Sequence, residues 1–111
     1  MFTDEQLIIF NIKMNPQKVV RENVKLLTDL PNIGKASAMD LQLLGIHTPK
    51  DLIGRCPFEM YDSLCQMTGI RHDPCVIDVF ISVTRFMAGE DAQSWWQFTE
   101  FRKQTLLQSK T

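Results

Sequence analysis

Apolar positions along this chain recur mostly at helical spacing, and the breaks between them fall at Pro and Gly. Val20, Val24 and Leu27 stand at i, i+4 and i+7 in a run that begins at Pro16 and ends at Pro31, one helical face. "KASAMDLQLL" (35–44) is rich in helix formers, and Gly45 is placed to cap its C-terminus. In "GIHTPKDL", Thr48 is a candidate N-cap with Pro49 at the first helical position, and only a short helix fits before Gly54. Pro57 opens "PFEMYDSLCQMT", which Gly69 closes. "GIRHDPCVIDVF" repeats the capping device with Asp73 and Pro74, and it opens the clearest helix of the chain. There Val76, Val79, Phe80, Val83 and Met87 form one stripe, which Ile77 and Ile81 widen enough to predict deep burial.

The repeated Gly-Ile…Pro caps admit an internal duplication, but their flanking residues do not match, so two uses of one capping solution is the simpler account. No alternating strand stands out; "LIIF" near the start is too short to tell strand from helix. The pattern therefore predicts an all-α fold, a compact bundle of about five short helices joined by tight turns. Its expected divisions are an N-terminal segment (1–15) whose order the sequence leaves open, a helical domain (16–103) and a C-terminal tail (104–111). In "SWWQFTEFRKQTLL", Trp95, Phe98 and Phe101 lie three apart with Trp96 beside them. A final helix covering the core is the plainer reading; an exposed aromatic surface for a partner or a nucleobase is the sharper one.

Composition narrows the class. At 111 residues, 44% hydrophobic and 23% charged, the chain has ordinary globular make-up for one domain. No stretch approaches the roughly 18 consecutive apolar residues of a membrane span, and the acids in "MFTDEQLIIF" argue against a secretory signal. Three cysteines, Cys56, Cys65 and Cys75, cannot form a complete set of intrachain disulfides, which fits a reducing cytoplasm. The net charge of −1 gives no overall pull toward nucleic acid. Residues 13–55 nevertheless carry seven bases against four acids, and residues 56–111 carry five against seven. Ordinary surface scatter accounts for this; a mildly basic face on the first half accounts for it too.

The break at "LPNIGKAS" (30–37) carries the first candidate chemistry. It lies between two helical runs and is long enough only for a tight reversal. Asn32 and Gly34 are residue types that tolerate positive φ, and Ile33 between them is an apolar peg. Lys35, Ala36 and Ser37 then start a helix, whose unpaired N–H groups attract anions, and Lys35 adds a full charge. Such a turn can seat a nucleic-acid phosphate without reading sequence.

"LPNIGKASAMDLQLLGI" resembles the helix–hairpin–helix motif, whose hairpin amides grip a DNA phosphate. Matched position by position, the resemblance implies that Asn32, Gly34, Lys35, Ala36 and Ser37 contact nucleic acid, with Ile33 as the structural peg. Asn32 stands where the motif has its first Gly. Together with "CQMTGIRHDPCVIDVFISV" and the "WW" tail, residues 18–97 are similar to a small bacterial family of pathogenicity-locus or mitomycin-resistance-like helix–hairpin–helix proteins. The resemblance implies a DNA-contacting module, and the expected function is a non-enzymatic one linked to DNA damage response or repair. One hairpin engages few phosphates, so the expected affinity is weak, ~10⁻⁴ M. Pairing with a second module or a protein partner is therefore expected. A protein-interaction or structural module without DNA contact is the rival reading.

A second cluster, Cys65, His72 and Cys75, offers thiol and imidazole groups, and Cys56 could add a fourth. The spacing C-x6-H-x2-C matches no recognised zinc site, so neither a metal nor a cofactor is implied. Cys75 would sit at a helix start, where the dipole lowers a thiol pKa, but Asp73 opposes thiolate formation beside it. His72 is expected to support the turn by a hydrogen bond. Asp78, inside the apolar helix, calls for a cation, with Arg71 or Arg85 expected to supply it. No phosphate-binding loop of the nucleotide-hydrolase type and no H-E-x-x-H is present, and nothing demands catalysis.

Overall fold

A computed structural model of the chain describes residues 19–109. Among these residues there are four α-helices and no strand: α1 (Lys35–Leu43), α2 (Pro57–Thr68), α3 (Cys75–Met87) and α4 (Thr99–Ser109). Short 3-10 turns at Arg21–Asn23, Leu27–Asp29, Pro49–Leu52 and Trp95–Phe98 connect or precede them. The all-α expectation holds. The segment 1–15, the start of the first predicted run at Pro16 and the "LIIF" stretch lie outside the described residues.

Within that first run, the spacing of Val20, Val24 and Leu27 does not produce a helix. Two 3-10 turns stand there instead. The cause is local: the Asp29 carboxylate accepts the N–H groups of Lys25 and Leu26 at 3.1 and 2.8 Å, drawing them out of a helical ladder. Two β-branched valines and Asn23 add little helical preference to oppose it. Pro31 then holds Leu30 extended, with ψ at 151°.

The punctuation read from the other helices is mostly where it was expected, except that the cap of α3 falls on Pro74, one residue after Asp73. Gly45 and Gly69 both take positive φ, 81° and 70°. At the end of α1, the N–H of Gly45 reaches Gln42 O and that of Ile46 reaches Leu41 O, each at 3.0 Å, so two terminal carbonyls are satisfied. Asp51 reaches back from the Pro49–Leu52 turn to accept from His47 and Thr48 N–H. Asp73 Oδ1 accepts the Cys75 N–H at 2.8 Å, while Pro74 already has helical dihedrals. Those backbone donors hold the Asp51 and Asp73 carboxyls below the usual aspartate range.

The core gathers around α3, which buries Ile77, Phe80, Ile81, Val83 and Phe86. Val76, Val79 and Met87 are only partly buried, so the helix faces the core on a line slightly rotated from the predicted stripe. The same core takes in Leu41 of α1, Met60 and Leu64 of α2, Leu52, and Phe98 from the turn before α4. Ile33, 1% exposed, is the peg that fixes the turn in this core. α4 continues through residues 104–109 without a break.

One polar cluster lies inside the apolar mass. Asp78 is fully buried and receives Arg102 Nε at 3.0 Å, Arg102 Nη2 at 3.3 Å and the Thr99 hydroxyl at 2.7 Å. Its cation is thus Arg102, not Arg71 or Arg85. Arg85 instead stacks over Phe98 and Phe101, at 5.2 and 4.6 Å from the ring centroids. Arg21 lies over the Phe86 ring, and its guanidinium donates to the carbonyls of Phe86 and Glu90, strapping the start of the described chain to the end of α3.

Candidate functional site

Leu30 to Ser37 forms a reversal whose inner side is buried and whose outer side is open. Leu30, Pro31 and Ile33 face the core. Asn32 has φ at 66°, the sole positive value among the described non-Gly residues. Its side chain turns inward: Nδ2 donates to Ser82 Oγ of α3 at 3.1 Å and to Gln93 O at 2.7 Å. The motif residue expected among the phosphate contacts therefore has its side-chain amide engaged with the protein.

Gly34 behaves differently from the expectation that it shares the sharp turn. Its φ is −92° and its ψ −172°, extended backbone open to any residue. A Cβ added there would meet nothing within 4 Å. Neither backbone strain nor internal packing calls for glycine, and the space outside it is free.

α1 begins immediately after. The Ala38 N–H reaches back to Gly34 O at 3.0 Å, and no described residue accepts from the N–H groups of Lys35, Ala36 or Ser37. These three donors sit at the positive end of the helix dipole with no acid in the first turn. Lys35 and Ala36 are exposed and Ser37 is half-buried. The turn thus brings together the five residues 32 and 34–37, four of them on an open face and Asn32 behind it. The helix expected before the hairpin is replaced by the 3-10 turn Leu27–Asp29.

The thiol cluster is assembled differently. His72 is tied down by three partners: its N–H donates to Cys65 Sγ at 3.5 Å, its carbonyl accepts from the Tyr61 hydroxyl, and its Nε2 lies 2.8 Å from Thr68 Oγ1. Since the Thr68 hydroxyl donates to Leu64 O, Nε2 carries the proton and donates to Thr68. His72 is a turn-holding residue, as expected. Its bond to Cys65 does not extend to Cys75, which stands at the start of α3 beside Asp73. The hydrogen bond to Asp73, with burial, pushes the Cys75 thiol above its ordinary value. Cys56 is exposed. Among the described residues, no group of three or more His, Cys, Asp or Glu side chains is placed to hold a metal ion.

Sequence reasoning missed two contributors. Ser82 and Gln93 brace the turn from 50 and 61 residues away, and no local pattern marks them. The hydroxyl of Ser82 inside an apolar stripe was the one available signal. The tail also differs from a simple cover: Phe98 is buried, but Trp96 and Phe101 remain 54% and 46% exposed.

Fold and site together define, among the described residues, a small all-α domain with a braced turn that presents a row of backbone amides without partners there, beside a lysine. The chain belongs to the pathogenicity-locus family (Cdd1), whose model matches residues 20–104. It is also similar to the mitomycin resistance protein McrB of Streptomyces lavendulae, with 35% identity over 80 residues that cover 72% of this chain and 76% of that protein. No solved structure matches it. No helix among the described residues is long and apolar enough to cross a membrane.

Proposed function

We propose that this protein is a non-enzymatic, cytoplasmic module that grips nucleic-acid phosphates with the turn at residues 32–37, in the manner of a helix–hairpin–helix. The observation that carries this reading is the row of N–H groups at Lys35, Ala36 and Ser37, which have no acceptor among the described residues, beside the open space at Gly34. Those amides would bond phosphate oxygens, Gly34 would allow the backbone to approach, and Lys35 would add a charge that is screened by salt. Contacts of this kind carry no base information, so the binding is to DNA in general and weak. The relative named for mitomycin resistance favours DNA damage response or repair as the setting.

Fluorescence anisotropy with a labelled duplex tests this at low and moderate salt, with Lys35→Glu as control. Binding that weakens with salt and falls in the variant is expected. No binding at low salt, or equal binding by the variant, removes the reading.

A second reading, a protein-interaction module without DNA contact, is favoured by the exposure of Trp96 and Phe101. It predicts a partner recovered by pull-down and lost on Trp96→Ala. Recovery that is indifferent to Trp96 would count against it.

A further inference from the structure

The departure at Asn32 is more than a tolerated substitute for glycine. A glycine would supply positive φ at no steric cost, yet the residue present spends its amide group on two tertiary contacts. Gln93 O can only accept, so the group facing it is the NH2, and the orientation of the amide is fixed. Its other proton goes to Ser82 Oγ. Ser82 in turn donates its own hydroxyl proton to Val79 O at 2.6 Å, leaving a lone pair for Asn32. The result is a continuous chain from the turn through Ser82 to the α3 backbone, with a second link to the segment leading into Trp95–Phe98.

From this we infer that Asn32 is a positioning residue for the phosphate seat, resting on the function proposed above. Its side chain contributes no contact to the ligand. It pins the tip of the turn to α3 and to Gln93, so that the Lys35–Ser37 amides converge on one place before any ligand arrives. Preformed donors bind more tightly than donors that must first be ordered. The motif glycine would keep the turn and lose the pin.

The prediction is an inversion of the motif rule: Asn32→Gly, a return to the usual residue, should weaken duplex binding by roughly tenfold. Ser82→Ala, on another helix, should weaken it in the same direction but less, because only one of the two bonds is lost. The double variant should lose less than the sum of the two, since both act on one network. Backbone order parameters from 15N relaxation supply a readout that needs no DNA. Residues 32–37 should be as rigid as α3 in the wild type and looser in Asn32→Gly, with α3 unchanged.

Loosening confined to the turn, together with the graded loss of affinity, supports the inference. An Asn32→Gly variant that stays rigid, or that binds as well as the wild type, overturns it. If the wild type binds no duplex at low salt, the proposed function fails. Unchanged order parameters would then end the pin separately, and a loosened turn would show it to be a fold element without a phosphate to serve.

Discussion

Two polar regions of this domain contrast sharply. Around Asp78, both carboxylate oxygens are engaged by Arg102 and Thr99, and water is excluded. At the start of α1, three backbone donors have no partner among the described residues, and they belong to two exposed residues and the half-buried Ser37. The first arrangement has nothing left to offer a ligand, and its role is to hold α4 on α3. The second contributes little to stability and retains its full hydrogen-bonding capacity. Burial and satisfaction mark structure here; exposure and lack of partners mark readiness to bind.

Breaking the first region should have the largest effect. Arg102→Ala leaves a buried carboxylate uncompensated and should cost about 3–5 kcal/mol in urea unfolding. Replacing both partners, Asp78→Leu with Arg102→Met, should cost much less than either single change. If the double variant is no more stable than the single one, the pair is not an isolated unit.

In the second region the expectation reverses. Lys35→Ala should change stability by no more than about 0.5 kcal/mol while lowering the salt slope of DNA binding by about 1. A Lys35 variant that unfolds the domain would erase the distinction between the two regions.

Acid sharpens the comparison further. Asp51 and Asp73 accept backbone N–H bonds that hold their folded pKa values below the usual aspartate range. Between the folded and unfolded values the unfolded chain binds more protons, so this stabilisation is complete above the ordinary aspartate range. It disappears as pH falls through the lowered folded values. Thermal melts should show an acid limb that is shallower in an Asp51→Asn, Asp73→Asn variant, and an identical limb would refute the assignment. The smallest effect concerns Cys75, whose raised pKa should make its alkylation at pH 8 slower than that of a free thiol, with Asp73→Asn restoring speed. Fast labelling of Cys75 in the wild type would reopen a thiol function.

Helices α2 and α3 were legible from their own residues because Pro, Gly and Asp at their ends act locally. Residues 19–30 were not legible: the apolar spacing fits a helix, but a single carboxylate, Asp29, captures the amides a helix needs. The partner of Asp78 was predictable in kind, a cation, but not in identity. Arg71, Arg85 and Arg102 are equivalent until α4 folds back on α3. The amides of residues 35–37, without partners among the described residues, followed from the helix start alone. The brace behind them joins residues 50 and 61 positions apart, and only the tertiary structure reveals it.

The strap formed by Arg21 also sets an order of events. It joins residues 65 and 69 positions apart, Phe86 and Glu90, whereas the bonds within each helix span three or four. On a chain emerging from the ribosome at about 5–20 residues per second, Arg21 is made roughly 3–13 s before Phe86. Helices α1 and α2 are synthesised before the strap can close, and a contact of this sequence separation is expected to form after the local ones because its loop-closure entropy must be met first. A contact absent from the folding transition state slows unfolding without speeding folding. Arg21→Ala should therefore raise the unfolding rate and leave the folding rate unchanged, making this arginine a latch on the lifetime of the native state.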